Sequence, residues 1–289
     1  MKRVIPLKAG LALAALLSCG LAQPAPAAQK PVVIPLSPYL GVVWSLQAQV
    51  KGKAETFLFD SAGGFTVITP QTAAEIGCEP WGQVTGFRMR GDRVDVKRCD
   101  SLGFTAGGAA FSAPTAGVWD FSHMLPKDAP PLAGSVGLDA FAGRTITIDL
   151  AGKQLVVETP ESQKARIADA REVELRLSRE ASGLALTPFV AVETPKGKIW
   201  MELDTGSDAA LIVGAHNAAL LGMIDEGKAA QPLHAKLAGG VGLDTEIARA
   251  MPMILDGNIG APILAQWIVT LDLAHGRAWI APAKPQGRP

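Results

Sequence analysis

The chain has 289 residues, and its 27 basic residues balance 27 acidic ones. This neutrality argues against a nucleic-acid-binding surface or a polybasic membrane patch. A hydrophobic content of 48% excludes a disordered chain. The length suits one large domain or two small ones, and the 31 glycines and 21 prolines favour a turn-rich, mainly β structure.

Residues 1–27 are predicted to be a secretory signal. Lys2 and Arg3 form a positive start, residues 9–17 are apolar, and Ala25-Pro26-Ala27 supplies a small-x-small cleavage site. The stretch Leu16-Leu17-Ser18-Cys19 also resembles a bacterial lipobox, which would end the signal at residue 18 and make Cys19 a lipid anchor. Both processing routes stay open, and both predict an exported protein, periplasmic or secreted.

Two cysteines remain after the signal, Cys78 and Cys99. In an oxidising compartment such a pair is typical of a disulfide. Spacing alone does not show that the two side chains face each other, so two reduced core thiols remain the alternative.

The body of the chain contains an internal repeat. In each half a turn and a short apolar strand lead to an aspartate and a hydroxyl residue, Asp60-Ser61 and Asp204-Thr205, with an offset of 144 residues. A short helix follows each motif, predicted over 70–76 and 215–221, and each helix is followed by a glycine, as at many helix C-termini. Further on, Gly137 and Gly260 each precede an Asp-Leu-Ala sequence at the same spacing.

The repeat predicts two lobes on one chain. The first covers residues 28–158 and the second covers residues 172–285. Residues 159–171 are polar, lack sustained apolar periodicity and are predicted to be the linker. Because both lobes belong to one chain, we expect a monomer.

These paired motifs resemble those of the pepsin and retropepsin superfamily of aspartic proteases, and in particular the bacterial exported retropepsin-like proteins with two lobes on one chain. The resemblance implies a mainly β fold of two similar retropepsin-like β-barrel lobes, related by a pseudo-twofold axis, with few short helices. It implies that Asp60 and Asp204 are catalytic. It also implies supporting roles for active-site loop residues, namely Ser61, Ala62, Gly63, Thr205, Gly206, Ser207, Gly137 and Gly260.

Two carboxyls held close together cannot both ionise cheaply, so they share a proton. One carboxylate then takes a proton from a water molecule while the other carboxyl donates to the scissile carbonyl. The function implied is an exported aspartic endopeptidase that hydrolyses a peptide or protein substrate. No cofactor, metal or nucleic acid is expected, since the four histidines are scattered singly, and membrane contact is expected only through a lipid anchor at Cys19.

The first motif departs from the family pattern because Ala62 replaces the usual glycine. An alanine adds a methyl group in a crowded turn and resists a positive φ. A second hypothesis follows, in which the protein is catalytically inactive and binds extended peptides in the cleft by strand addition. A covering hairpin is expected near 84–96, with Trp81 or Phe87 as its aromatic residue.

Overall fold

The computed structural model describes residues 30–224 and 229–284. The predicted signal, its two cleavage alternatives and Cys19 lie outside these described residues.

Short strands dominate the first half of the chain, where apolar runs alternate with glycine and turn residues. These strands are β1 (Val32–Tyr39), β2 (Val43–Val50), β3 (Lys53–Phe59), β4 (Val67–Ile68), β5 (Trp81–Phe87), β6 (Arg93–Cys99), β7 (Leu102–Ala106), β8 (Ala109–Ala113), β9 (Ala116–Val118), β10 (Gly134–Val136), β11 (Thr145–Asp149) and β12 (Gln154–Val157).

The second half is built in the same way. Its strands are β13 (Arg171–Val173), β14 (Leu175–Ser178), β15 (Thr187–Thr194), β16 (Gly197–Asp204), β17 (Leu211–Gly214), β18 (Gln231–Lys236), β19 (Gly242–Met251), β20 (Gly257–Gly260), β21 (Trp267–Asp272) and β22 (Arg277–Pro282).

The helices are short. The α-helices are α1 (Pro70–Glu75), α2 (Pro160–Ile167) and α3 (Ala261–Leu264), and 3-10 turns cover Ser122–Met124, Leu138–Phe141, Ala181–Gly183 and Ala215–Leu221. No helix in the described part of the chain is long and apolar enough to cross a membrane.

Both helices predicted from the repeat are present. The α1 helix begins after Thr69, whose hydroxyl accepts a hydrogen bond from the Thr72 N–H at 3.1 Å. The second predicted helix is a 3-10 helix that ends at Gly222, which adopts a left-handed φ of 71°. Local capping signals therefore placed both elements correctly.

The strands form two open sheets rather than closed barrels. The larger has fifteen strands, thirteen in the order β13-β22-β21-β11-β12-β1-β2-β3-β10-β4-β9-β6-β5 and β7 and β8 on a branch from β2. The smaller has the order β14-β15-β16-β20-β17-β19-β18.

The prediction of β-barrel lobes is therefore wrong, whereas the mainly β class with few short helices is confirmed. In the described strands β5 pairs only with β6, and β18 pairs only with β19. Within this hairpin β6 also pairs with β9, whereas the outer strand β5 has no second strand partner among the described residues and packs through side chains against Ala181 and Leu184. This end of the larger sheet therefore stays open.

One hydrophobic core runs through both halves of the chain. It includes Phe57 and Phe141 from the first half and Ile259 and Leu271 from the second. Strands β11 and β21 pair antiparallel across the junction, where the Thr147 and Thr270 hydroxyls lie 3.0 Å apart. The two halves are thus joined by backbone pairing as well as by packing.

Cys78 and Cys99 form a disulfide, as predicted, with their Cα atoms 6.0 Å apart. Cys78 lies just after α1, and Cys99 is the last residue of β6. The bond therefore fixes the base of the β5–β6 hairpin to the body of the first half.

The segment predicted as the linker, residues 159–171, contains the α2 helix. Thr159 caps this helix in a reciprocal capping box with Ser162. None of the α2 residues is buried, which explains why the segment has no apolar periodicity.

Candidate functional site

Asp60 and Asp204 lie at equivalent points of two parallel strand pairs. Asp60 follows β3, which pairs in parallel with β10, and Asp204 ends β16, which pairs in parallel with β20. The Asp60 N–H donates to the Val136 carbonyl at 3.1 Å, and Asp204 lies opposite Gly260 in register. The fold therefore brings together two turns that are 144 residues apart in sequence.

The residues after the two aspartates lock the turns together. The Ser61 N–H donates to the Thr205 hydroxyl at 2.9 Å, and the Thr205 N–H donates to the Ser61 hydroxyl at 3.0 Å. Each hydroxyl then donates to a backbone carbonyl of the opposite strand, Ser61 to Leu203 and Thr205 to Phe59. Both side chains are fully buried, so these four bonds fix the relative position of the aspartates.

The two carboxyl groups form a hydrogen-bonded pair, called here the carboxyl pair. On the Asp60 side, Oδ1 accepts from the Ala62 N–H at 3.0 Å, and on the Asp204 side, Oδ1 accepts from the Gly206 N–H at 2.8 Å. Asp204 is only 7% exposed, whereas Asp60 is partly accessible. A ligand in the cleft would therefore meet Asp60 first.

The pKa values of both carboxyls are raised. Burial, followed by the negative charge of Asp60, raises the pKa of Asp204 to about 7. Burial also raises the pKa of Asp60, although N–H donors from Ala62 and Gly63 oppose that shift. The pair consequently retains a proton under mildly acidic conditions.

The glycines of both loops are required by close packing. A Cβ at Gly206 would lie 2.6 Å from Asp60 Cγ, and a Cβ at Gly63 would lie 2.9 Å from Asp60 Oδ2. A Cβ at Gly260 would lie 1.9 Å from the Ala209 carbonyl oxygen, and one at Gly137 would lie 3.1 Å from the Phe65 backbone. None of these four glycines has a positive φ, so backbone conformation does not require glycine there. The reason for glycine is the lack of space for a side chain.

Ala62 and Ser207 complete the predicted set. Ala62 is not among the non-glycine residues with positive φ, so the turn does not impose the backbone strain expected of an alanine there. Ser207 is buried, and its carbonyl accepts a hydrogen bond from the Ala261 N–H at 3.0 Å. The predicted site residues thus lie together at the junction of the two halves. The two cysteines of the disulfide are the exception, since they lie at the base of the β5–β6 hairpin.

Two further residues, Asn258 and Glu202, belong to the site and were not predicted. Asn258 Nδ2 donates to Asp204 Oδ2 at 2.7 Å and to Glu202 Oε2 at 3.2 Å. Sequence comparison of the two halves would have revealed them, because Leu58 and Ser135 occupy the corresponding positions of the first repeat. An acidic residue in an otherwise apolar strand was the available signal.

The β5–β6 hairpin spans the two halves of the molecule. Phe65, five residues after Asp60, packs beneath it with Val84 and Val96. At its tip the Met89 carbonyl accepts a hydrogen bond from the Ile254 N–H at 2.9 Å. A hairpin is therefore present at the predicted position and touches the second half.

Neither candidate aromatic residue of the hairpin contacts the carboxyl pair. The Trp81 ring lies 4.0 Å from the Arg98 guanidinium, and its Nε1 donates to Asp100 at 2.6 Å. Phe87 is 58% exposed. A surface concavity of about 540 Å³ surrounds Trp81 and the disulfide and includes no residue of the carboxyl pair.

Metal binding has no obvious centre in the described residues, where no group of three His, Cys, Asp or Glu side chains is arranged to hold an ion. The absence of a metal or cofactor remains a prediction.

Comparison with solved structures identifies proteins of similar fold. Basic 7S globulin from soybean matches 87% of this chain and 94% of its own, with a TM-score of 0.57 and 11% identity. Conglutin gamma, a basic 7S globulin from lupine seeds, matches 88% and 95% with a TM-score of 0.56 and 9% identity. A protein named edgp matches 88% of this chain over 95% of its own length, with a TM-score of 0.53 and 10% identity. No family model and no curated protein matches this chain.

These findings contradict the predicted membership in the exported retropepsin-like protease family and the predicted endopeptidase function. Two of the three structures of similar fold are named as globulins, and no sequence family supports a protease. The physical reason is that a repeated Asp-hydroxyl turn locks two halves together through Ser61 and Thr205 whether or not a bond is cleaved. The motif therefore reports a fold, and a fold does not establish an activity.

Proposed function

We propose that this protein binds an extended peptide at the junction of its two halves and releases it unhydrolysed. The observation that carries the proposal is the convergence of the carboxyl pair with a hairpin that spans both halves. The carboxyl pair supplies hydrogen-bonding groups for a peptide backbone, and the hairpin supplies a strand for it to pair with.

We propose that the peptide pairs with the free edge of β5. This strand is at one end of the larger sheet and pairs only with β6 among the described strands. Most of its residues are exposed, so its outer backbone groups are accessible for strand addition. An added strand gains affinity from backbone hydrogen bonds and selectivity from alternate side chains.

The environment of Asp204 supports binding over hydrolysis. Asp204 Oδ2 already accepts a hydrogen bond from Asn258 at 2.7 Å, and Oδ1 accepts one from Gly206. Both oxygens of Asp204 are thus held by donors of the protein itself, which leaves this carboxyl less free to reach a substrate carbonyl. Ala62 adds a methyl group to the opposite turn, where Gly206 in the second turn has none.

We also propose that the two halves are similar lobes related by a pseudo-twofold axis. The parallel pairs β3–β10 and β16–β20 place Asp60 and Asp204 alike, and the Ser61–Thr205 hydrogen bonds are reciprocal. An experimental structure in which the halves superpose only by a rotation far from 180° would contradict this relationship.

Export is part of the proposal as well. A disulfide between Cys78 and Cys99 suits an oxidising compartment, in agreement with the predicted signal. Intact mass and membrane fractionation of the mature protein, with a Cys19→Ala variant as control, distinguish a free exported protein from a lipid-anchored one.

The test is a peptide-library binding experiment at pH values between about 3 and 8, with mass spectrometry of every bound peptide. We expect peptides to bind the wild-type protein and to be recovered intact. The Asp204→Asn variant should bind at least about tenfold more weakly, because a shared proton and a charge are lost. Asp208→Asn changes an exposed carboxyl in the same loop and should bind like the wild type.

Two results would overturn the proposal. If no peptide binds at any pH in this range, the cleft is not a peptide site. If the wild type cleaves peptides and Asp204→Asn does not, the protein is a hydrolase and the non-catalytic assignment is wrong.

A further inference from the structure

Glu202 is buried against the carboxyl pair. It lies two positions before Asp204 on β16, so both side chains project from the same face of the strand. The two residues are 8% and 7% exposed, respectively. A buried carboxyl beside another carboxyl is unfavourable unless protons or donors compensate for it.

Asn258 on the neighbouring strand β20 connects the two carboxyls. Its amide nitrogen has two hydrogens and donates one to Asp204 Oδ2 and the other to Glu202 Oε2. Asn258 is fully buried, and its Oδ1 has no hydrogen-bond partner in the described part of the chain. An unpaired buried acceptor destabilises a fold, so packing alone does not account for an asparagine here.

The first half of the chain has no such arrangement. Leu58 and Ser135 pair in register on β3 and β10, as Glu202 and Asn258 pair on β16 and β20. A leucine cannot ionise, and the Ser135 hydroxyl has no hydrogen-bond partner within residues 30–224 and 229–284. The carboxyl pair is therefore asymmetric, with a side-chain amide and a third carboxyl on the Asp204 side alone.

The groups that face Glu202 are acidic. They are Asp204 on its own strand, Asp60 from the opposite turn and Glu180 from the loop after β14. Its register partner on the neighbouring strand β15 is the apolar residue Phe189. No lysine, arginine or histidine of the described residues forms an ion pair with Glu202, Asp60 or Asp204.

Burial, and then the charge of Asp204, raise the pKa of Glu202 well above its ordinary value. With no cation to neutralise it, Glu202 is accommodated as the protonated acid. Ionisation would add a negative charge beside Asp204 and would draw the Asn258 amide nitrogen toward Glu202, because a hydrogen bond to a charged acceptor is stronger and shorter. Asp204 would then lose part of the interaction that orients it.

We propose that Glu202 is a proton-holding positioning residue, coupled to Asp204 through Asn258, and that release of its proton to solvent weakens peptide binding at the carboxyl pair. This inference rests on the proposed function, because it assigns a pH dependence to the same site. In this proposal Glu202 and Asn258 do not touch the peptide and act only by orienting Asp204.

The first test measures the dissociation constant of one selected peptide between about pH 5 and pH 8.5 for the wild type, Glu202→Gln and Glu180→Gln. Glutamine imitates the protonated form of Glu202 and cannot ionise. We expect wild-type affinity to fall by up to about tenfold per pH unit once the proton is released. Glu202→Gln should bind like the wild type at low pH and should keep its affinity to higher pH than the wild type does. Glu180→Gln removes a facing negative charge that helps to raise the pKa of Glu202, so it should move the fall in affinity slightly to lower pH, opposite to the effect of Glu202→Gln.

Superimposable pH profiles for Glu202→Gln and the wild type would overturn the inference. Loss of binding by Glu202→Gln at every pH, with unchanged thermal stability, would also overturn it, since it would give Glu202 a role that needs its charge.

A second test needs no peptide and therefore separates this inference from the proposed function. Because the folded-state pKa of Glu202 is raised, the folded protein keeps a proton that the unfolded chain releases above about pH 4.5. The wild type should then lose stability as pH rises from there, and Glu202→Gln should lose less. A Tm difference between the two proteins that does not change with pH would contradict a proton on Glu202, even if no peptide were found to bind.

Discussion

Ser61 and Thr205 hydrogen-bond reciprocally across the two halves of the molecule, each N–H donating to the hydroxyl of the other at 2.9 and 3.0 Å. Both residues are fully buried. The same two hydroxyls also donate to backbone carbonyls of the opposite strands. These four hydrogen bonds hold the turns that carry Asp60 and Asp204 together. They stabilise the fold whether or not the site binds a ligand.

Thr205→Val tests the stabilising role of these bonds. Valine keeps the shape of threonine but leaves the Ser61 N–H and the Phe59 carbonyl without their partner. We expect the free energy of unfolding to fall by about 2–4 kcal/mol, because both groups would be buried and unpaired. Chemical denaturation measures the loss. Thr205→Ser restores the hydroxyl and should recover most of the stability, and a Thr205→Val protein as stable as the wild type would contradict the role.

Gly206→Ala tests whether the close approach of the second turn to Asp60 matters for the site. The added methyl would lie 2.6 Å from Asp60 Cγ, so the carboxyl must move. We expect peptide affinity to fall at least about tenfold, with the same fold by circular dichroism. Gly103→Ala is the control, since an added Cβ there meets no atom within 4 Å. Equal peptide affinities for wild type and Gly206→Ala would show that Asp60 does not need its present position.

The Cys78–Cys99 disulfide closes a loop with a sequence separation of 21. Loop-closure entropy for this length predicts that reduction lowers the free energy of unfolding by about 3 kcal/mol. The measurement is denaturation with and without a reductant, with the Cys78→Ala/Cys99→Ala variant as control, which the reductant should not affect. No effect of reductant on the wild type would contradict the bond.

Asp139 should make stability depend on pH independently of the carboxyl pair. Burial raises its pKa from 3.8 to about 6, although the Thr66 N–H and hydroxyl both donate to its Oδ1 at 2.8 Å. The folded state therefore holds a proton that the unfolded chain releases, and stability falls as pH rises from about 4 to about 6.

The change over that range should be about 3 kcal/mol, at 1.36 kcal/mol per unit of pKa shift. Asp139→Asn keeps an oxygen acceptor for Thr66 and should reduce the decline by this amount, leaving the share that the raised pKa values of Glu202 and Asp204 contribute. Denaturation at several pH values measures the difference. Asp208→Asn, at an exposed position, should leave the decline unchanged. Parallel curves for Asp139→Asn and the wild type would contradict the assignment.

Local signals in the sequence predicted some features well. Gly77, the glycine that follows the helix predicted over 70–76, adopts a positive φ of 70°, and the helix spans Pro70–Glu75. The spacing of Asp60 and Asp204 after apolar strands predicted their convergence, because each strand carries its own aspartate to the same junction. Cys78 and Cys99 pair as expected in an exported chain.

Other features depend on contacts that no local signal encodes. Whether β5 and β18 pair with further strands is decided by sheet twist and hairpin packing, so closed barrels were predicted where the sheets are open. Comparing the two halves singles out Glu202 and Asn258 as departures from the repeat, but only the register of β16 with β20 shows that Glu202 is buried behind Asp204. Asp139, adjacent to an apolar turn, was missed for the same reason.

The most direct test of the account is an experimental structure of the protein with a peptide selected from the library. We expect an intact peptide paired with the outer edge of β5, with a backbone group within hydrogen-bonding distance of the Asp60 carboxyl. A peptide seated on a different strand edge, or a cleaved peptide at the carboxyl pair, would contradict the account.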